Sequence, residues 1–434
     1  MVEKLIAFSL RNRFLVLLCA VGIFVCGFYS VQKSKIDAIP DLSENQVIVF
    51  TEWMGRSPEI IEDQVTYPLV TNLQGIPKVK YVRANSMFGM SFIYLIFDDN
   101  TDIYWARSRV LERLSSMGNI LPSGVSPTLG PDGTGVGHIL WYTLEAPGMD
   151  LGEQRAIQDW YVKFALQNVP GVSEIASFGG FQKQYQITVD PNKLNYFKLT
   201  LPEVITAVNA NNNEAGGRKF EMSGTGYIIK TTGYLQTIQQ IEDLPVKADN
   251  SIPVRIKDFA TVQMAGESRL GIFDYNGQGE AVGGIVVLRY GENADEVIRR
   301  VKEKMQEVSK GLPKGVKFNI VYDRGELIEE SVSSIKHTLL EEMLVVSLIV
   351  LIFLFHWRSA ISIIIQIPVT IAASFITLNA FNISSNIMSL TGIALAIGVI
   401  VDNGIIMAEN SYKHLALRQE ELNREKEKGI EHDK

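Results

Sequence analysis

The chain has 434 residues, a formal net charge of −7, 46% apolar residues and two cysteines. No basic stripe offers a surface for nucleic acid, and five scattered histidines give no metal-ligand spacing, so neither nucleic-acid binding nor a His/Cys metalloenzyme is indicated. Ordinary globular usage with a mean hydropathy of +0.10 points to a chain of several domains, part membrane and part water-soluble.

Phe14–Val31 is the first apolar segment, preceded by Arg11 and Arg13. It holds both cysteines, Cys19 and Cys26, which on a helix stand about 10 Å apart along the axis, too far for a disulfide. No small-x-small cleavage site follows, and neither cysteine sits where a lipoprotein site needs it. The segment therefore reads as an uncleaved anchor rather than a signal peptide. Lys4, Arg11 and Arg13 place its start in the cytoplasm. From Gln32 to about Ile335 no further span occurs, and that long cysteine-free stretch belongs on the opposite side.

Strands and helices alternate there. Gln46–Glu52 is β-rich, and Pro58 opens a helical stretch to Leu73 with Ile60, Ile61, Val65 and Leu69 on its apolar side. Strands at Val79–Ala84 and Ser91–Phe97 join through Phe88-Gly89. A second helix runs from Asp102 to about Met117, closed by Gly118. Leu73-Gln74-Gly75-Ile76-Pro77-Lys78-Val79 then recurs 93 residues later as Leu166-Gln167-Asn168-Val169-Pro170-Gly171-Val172. Both copies end a helix, turn on a proline and lead into a strand. Each is followed by another alternating strand, Ser91–Phe97 and Lys183–Val189. Two successive α+β units of the split βαβ kind are expected. In the second, the return half is delayed to strand Ala281–Leu288, helix Ala294–Val308 and strand Val316–Tyr322. The intervening Gly180–Gly271, with Asn209-Ala210-Asn211-Asn212-Asn213, Gly216-Gly217 and strands around Tyr227–Thr232, reads as an inserted subdomain with an exposed hairpin.

Two more spans are expected at Leu344–Phe355 with its flanks and at Ala360–Leu378, where Pro368 is tolerated if neighbours satisfy the freed carbonyl. The short His356-Trp357-Arg358 loop between them carries an arginine and is placed in the cytoplasm. Asn382–Asn386 is the outer turn into the run Ile387–Met407, which is long enough to span a bilayer. That run holds Asp402. A bare carboxylate in hydrocarbon costs ~2.5–3.5 kcal/mol, so it must face protein or water. Glu409 lies seven residues on, nearly on the same face but closer to one membrane surface. Gly392, Ala394, Ala396, Gly398, Gly404 and Ala408 suit close packing against another helix. One ionisable group in a helix built for burial is what a proton- or ion-coupled transporter needs; the plain alternative is a structural Asp paired with a neighbour. The tail Lys413–Lys434 balances six Lys/Arg with acids and reads as a fraying cytoplasmic helix. Every orientation agrees: both termini inside, the large domain outside.

One anchor, a large outside α+β pair and three later spans with an acid in the fourth resemble the N-terminal half of a resistance-nodulation-division exporter. The motifs sharpen this to the heavy-metal efflux branch, the CusA/CzcA type. They are Asn12-Arg13-Phe14-Leu15-Val16, Asp37-Ala38-Ile39-Pro40-Asp41-Leu42-Ser43, Gln64-Val65-Thr66-Tyr67-Pro68-Leu69, Tyr104 to Glu112, Leu129 to Gly137, Asn213-Glu214-Ala215-Gly216-Gly217, Asn386-Ile387-Met388-Ser389-Leu390 and Val401-Asp402 through Glu409-Asn410. The resemblance implies an α-helical membrane bundle of four transmembrane helices plus periplasmic α+β porter subdomains of split βαβ (ferredoxin-like) type. An anchor over 1–31 would precede a first porter subdomain over 32–131. A second, over 132–180 and 271–330, would be interrupted by a docking subdomain at 181–270, its hairpin around Asn211–Gly226 reaching into a neighbouring protomer. Spans at 338–357, 360–381 and 386–410 and a cytoplasmic tail at 411–434 would follow.

The implied activity is export of a metal cation driven by proton influx, with Asp402 as proton relay, Glu409 as a secondary acid and no resident cofactor. The implied assembly is a homotrimer in the inner membrane, in contact with lipid, completed by a C-terminal half and working with a periplasmic adaptor and an outer-membrane channel. Divalent-cation members resemble one another in carrying a second Asp six residues before the first; here that position is Ala396. A single acid with Met388 and Met407 on the same helix looks like the monovalent copper/silver subtype, since thioether sulfur is a soft ligand suited to Cu(I) and Ag(I). Plain packing is the alternative for both methionines and for Met54, Met87, Met90 and Met117. Rival readings are an exporter of divalent cations or drugs, a truncated inactive remnant, and a membrane sensor with an extracytoplasmic domain. The sensor does not explain three later spans with a buried Asp.

Overall fold

The computed structural model describes residues 2–118, 120–214, 216–230, 233–249, 252–269, 271–354 and 357–427. Helices α1 (Val2–Arg11) and α2 (Arg13–Lys33) open the chain. The first sheet follows. Its strand β1 (Gln46–Glu52) buries Val47, Val49 and Thr51 alternately, the period-2 pattern of a sheet with one dry face. A continuous helical stretch comes next, made of α3 (Pro58–Ile61), a π turn (Glu62–Thr66) and α4 (Tyr67–Leu73). It lays Ile61, Val65, Leu69 and Leu73 on that face. Then come β2 (Val79–Met87), β3 (Met90–Phe97), α5 (Ile103–Ser115) and β4 (Pro127–Leu129). The Asp102 carboxylate caps α5 by accepting from Trp105 N–H at 2.7 Å. The sheet order is β2-β3-β1-β4, all antiparallel.

The second sheet starts with β5 (Gly133–Glu145), α6 (Leu151–Ile157), a π turn (Gln158–Val162), α7 (Lys163–Gln167) and β6 (Val172–Gly179). The two copies of the repeated heptad fold alike: Lys78 and Gly171, at the same place in the repeat, both take positive φ (67° and 94°) just before the strand. After β6 the chain leaves the sheet. Strand β7 (Lys183–Val189) forms where alternation expects it, yet it pairs with the much later β12 (Ala260–Gly266) and not with the second sheet. Between them lie α8 (Pro191–Tyr196), α9 (Leu201–Asn211), β8 (Gly216–Met222), β9 (Thr225–Lys230), α10 (Ile238–Glu242), β10 (Pro245–Asp249), β11 (Ile252–Arg255) and α11 (Ile256–Phe259). A separate small core of Leu199, Val204, Ile241, Leu244, Ile256 and Phe259 holds them together. The β8–β9 hairpin runs over 216–230, later than the expected Asn211–Gly226, because Asn211 still closes α9. Residues 231 and 232 of the expected Tyr227–Thr232 strand lie outside the described residues.

The second sheet is completed by β13 (Val282–Arg289), α12 (Ala294–Ser309) and β14 (Lys317–Asp323), in the order β14-β5-β13-β6. Gly179 and Gly180, both at positive φ, let the chain exit beside Ala281, where it returns. A side chain on Gly179 would strike the Ala281 carbonyl.

With no intervening linker, Asp323 passes into α13 (Arg324–Leu354), followed by α14 (Trp357–Ala380) and α15 (Ile387–Glu427). Helix α15 continues well past 410, so the expected tail is helical through Glu427; residues 428–434 lie outside the described set, as do 355 and 356 of the expected loop. Val350, Ile367, Leu390, Ile393, Ile397 and Val401 form the bundle core. Gly27 of α2 lies so close to Ala372 of α14 that any side chain there would collide. By length and composition α2 and the 387–421 part of α15 could cross a membrane, and Ile364–Ala380 is a shorter apolar stretch.

Candidate functional site

Helix α15 carries all four residues singled out for transport. Leu390, Ile393, Ile397 and Val401 face the other helices, while Asp402 and Glu409 are exposed on the remaining surface. Only 22% of the helix's apolar window is buried by the chain itself, so the expected burial of the Asp402 helix is not supplied by these helices alone. Met388 and Met407 are likewise exposed, at 67% and 58%, and nineteen positions on one helix separate them by about 28 Å. They cannot share one ion. Among the described residues no group of three or more His, Cys, Asp or Glu could hold a metal.

A second acid comes to light in the bundle. Glu342 of α13 is half-buried, with Oε1 4.0 Å from where a side chain on Gly398 would begin. Gly398 stands one turn before Asp402 and about 16 Å along α15 from its start, well inside any bilayer the helix crosses. Hydropathy marks 338–357 as one span and hides the two acids near its start. The signal that could have exposed Glu342 was a carboxylate spaced to meet the glycine of a parallel helix.

A polar joint fastens the helices to the sheets, beside the packing of Ile328 of α13 into the second unit's core. Ser385, just before α15, pairs with the chain leaving α2: its N–H donates to Lys35 O at 2.8 Å, its carbonyl accepts from Asp37 N–H at 3.1 Å, and the Ser34 and Ser385 hydroxyls are bonded. Asp37 in turn meets Arg324, the first residue of α13, with Nη2 2.8 Å from Oδ1. The opposite charges, at this separation, hold the pair together. The Arg324 guanidinium also donates from Nη1 to the Val136 carbonyl of β5. Burial raises the Asp37 carboxyl above its ordinary value despite the pull of Arg324.

The two sheet units are clasped at Asp132. Tyr104 of α5 donates to its Oδ2 at 3.1 Å, Ser173 of β6 donates to Oδ1, and Arg289 Nε of β13 lies 3.1 Å from Oδ2. Burial alone would raise this carboxyl. Ser173, Tyr104 and Arg289 more than offset it and hold it below the usual range. Beside the clasp a cleft of about 660 Å³ opens between the units, lined by Phe50, Phe92, Tyr94, Arg107 and Glu174.

Residues 5–432 match the AcrB/AcrD/AcrF family. The chain belongs to that family. It is 44% identical over 418 residues to the cation efflux system protein CusA of Escherichia coli (strain K12), covering 96% of this chain and 40% of CusA. It is 36% identical over 429 residues to the cobalt-zinc-cadmium resistance protein CzcA of Cupriavidus metallidurans, covering 97% of this chain and 40% of CzcA. A crystal structure of a heavy metal efflux pump matches with a TM-score of 0.84 at 30% identity, over 94% of this chain and 41% of that one. The resemblance carried by the sequence motifs is therefore borne out, and the mixed α/β region has the porter fold of these relatives. The chain spans about two-fifths of the length of the curated relatives it matches.

Proposed function

We propose that this chain is the N-terminal half of a proton-driven exporter of soft monovalent cations, Cu(I) or Ag(I), in a bacterial inner membrane. In this reading α2, α13, α14 and α15 are the four spans, and the two sheet units are ferredoxin-like porter subdomains in the periplasm. The insert between β6 and β13 is a docking subdomain. The working particle is a homotrimer completed by a C-terminal half, with a periplasmic adaptor and an outer-membrane channel as partners. The observation that carries the reading is Asp402, the one acid in the apolar run of α15, in a chain 44% identical to CusA. A carboxylate at that depth is costly unless it works, and its charge change on protonation can bias two helix packings. Glu342, one turn away, extends the path towards the outer surface. Movement of α15 would reach the sheets through Ser385, Asp37 and Arg324.

Asp402→Asn keeps shape and hydrogen bonding but does not titrate. In the pump completed by the remaining length its relatives have, reconstituted in liposomes with an imposed pH difference, Ag(I) transport should fall at least tenfold while trimer assembly persists. Glu409→Gln should do much less, since it lies nearer the membrane surface. Undiminished transport by Asp402→Asn would reduce Asp402 to a structural partner, and preference for Zn(II), Co(II) or Cd(II) over Ag(I) would refute the subtype.

A further inference from the structure

Three of the twelve methionines gather at one rim of the first sheet. Met87 and Met90 flank the Phe88-Gly89 turn between β2 and β3 and are cross-strand partners. Met54, just past β1, is drawn to the same turn: the Trp53 N–H donates to Gly89 O at 2.8 Å, and the Gly89 N–H donates to Arg56 O at 3.0 Å. Gly89 takes φ +73°, and the Met54 sulfur lies 2.9 Å from where a side chain at Gly89 would begin. Only glycine leaves that space free. Packing does not account for these methionines. Met117 is 1% exposed in the core, whereas Met54 is 57% and Met87 46% exposed, with Met90 half-buried. Glu52 stands opposite Met90 in the β1–β3 pairing, and the nearby Arg56 guanidinium lies over the Trp53 ring, 4.8 Å from its centroid.

We propose that Met54, Met87 and Met90 form a surface site for a soft monovalent cation, Cu(I) or Ag(I). Neutral thioether sulfur suits such ions and serves hard divalent ions poorly. Three rotatable bonds per methionine let the sulfurs converge on an ion while the turn stays fixed. The glycine turn then acts as the rigid part of the site and the side chains as the adaptable part. This site is built on elements other than the one bearing Met388 and Met407. Its role as a loading point rests on the export reading above; the binding rests on the three sulfurs.

The test is a titration of the full chain in nanodiscs, labelled at methionine methyl groups for NMR, with silver nitrate in chloride-free buffer. Met54, Met87 and Met90 resonances should shift together and saturate at one equivalent, while Met117 stays in place. The double variant Met87→Leu/Met90→Leu, which conserves volume, should weaken the remaining Met54 response at least tenfold, with Met117 reporting an intact fold. Zinc nitrate should move none of the three. The site is overturned if the three resonances do not move, if Met54 responds equally in the double variant, or if Zn(II) moves them as Ag(I) does. Joint shifts without Ag(I) export by the completed pump would keep this site and sink the export reading; export without shifts would sink this site alone.

Discussion

The two sheet units share one plan and carry different loads. Reading β5, β6, β13 and β14 as the counterparts of β1, β2, β3 and β4, the second sheet has the first one's order taken from the other end. Each places a π turn in the helical arm before the repeated heptad, at Glu62–Thr66 and Gln158–Val162. Each uses that turn to set a polar side chain against its own sheet. The first unit closes on itself between Gln46 and Leu129 and is joined in sequence to α2 by a loop. The second is split by its insert, and its last strand becomes α13 without a break. One fold thus serves as a separate neighbour and as a direct extension of helix α13.

The largest expected effects test whether the units stand independently. Leu69 and Leu166 occupy corresponding arms and are both fully buried. Truncating either to Ala should cost about 2–5 kcal/mol. Leu69→Ala should speed amide hydrogen exchange over 46–129 alone. Leu166→Ala should speed it over 133–179 and 282–323 and extend into the first turns of α13. Equal spread from both variants would break the comparison, since the first unit would then be wired to the helices as tightly as the second.

Much of this was legible in the sequence. The heptad repeat gave both helix-to-strand corners because its Pro and its positive-φ position recur together, as Lys78 and Gly171 show. The delayed return of the second unit was legible as a resumed βαβ pattern, the strand-like run Ala281–Leu288 followed by a helix and another strand. Strand β5 was not, because Gly133, Gly135 and Gly137 weaken any strand pattern and side-chain periodicity cannot display a thirteen-residue strand that serves as the sheet's interior. The partner of β7 was equally hidden: alternation reveals a dry face but not which strand lies beside it. At the candidate site Asp402 was evident from its apolar surroundings. Glu342 was not, because meeting Gly398 depends on how α13 and α15 pack.

A smaller effect is expected where the units touch. Asp132→Asn keeps the shape of the clasp but loses the charge that Tyr104, Ser173 and Arg289 address, at about 1.5 kcal/mol, the low end for bonds to a charged group. The native carboxyl is held below its ordinary value of 3.8. Its contribution is therefore complete above that pH and is lost as pH falls through the lower folded value. Thermal melts of native chain and Asp132→Asn should differ equally at about pH 7 and pH 5, then converge only as the pH is taken below the ordinary value of 3.8. A difference that closes already between pH 7 and pH 5 would mean that another group controls the clasp.

The smallest difference expected is between double variants at the two π-turn anchors. In the second unit the Gln158 amide donates to the Tyr142 hydroxyl at 3.0 Å, and both residues are almost wholly buried. Burial pushes that hydroxyl well above the phenol range, so it stays neutral and needs a hydrogen-bond partner. Gln158→Leu should strand it at a cost of about 1–3 kcal/mol. Adding Tyr142→Phe removes the orphaned group, and the double variant should return to within about 0.5 kcal/mol of the native chain, because losing both partners is nearly neutral. Ser177 only accepts from that amide, at 3.3 Å, so it loses a donor and not the acceptor for its own O–H. In the first unit the anchor is a chain of three hydroxyls: Ser86 donates to Thr66 at 2.9 Å, and Thr66 meets Ser91 at 2.7 Å. Thr66→Val/Ser91→Ala still leaves Ser86 without its partner, so this pair should remain about 1 kcal/mol below native. Denaturant unfolding of the four variants reads the contrast directly. If Thr66→Val/Ser91→Ala recovers as fully as Gln158→Leu/Tyr142→Phe, Ser86 has found water and the two anchors are energetically alike.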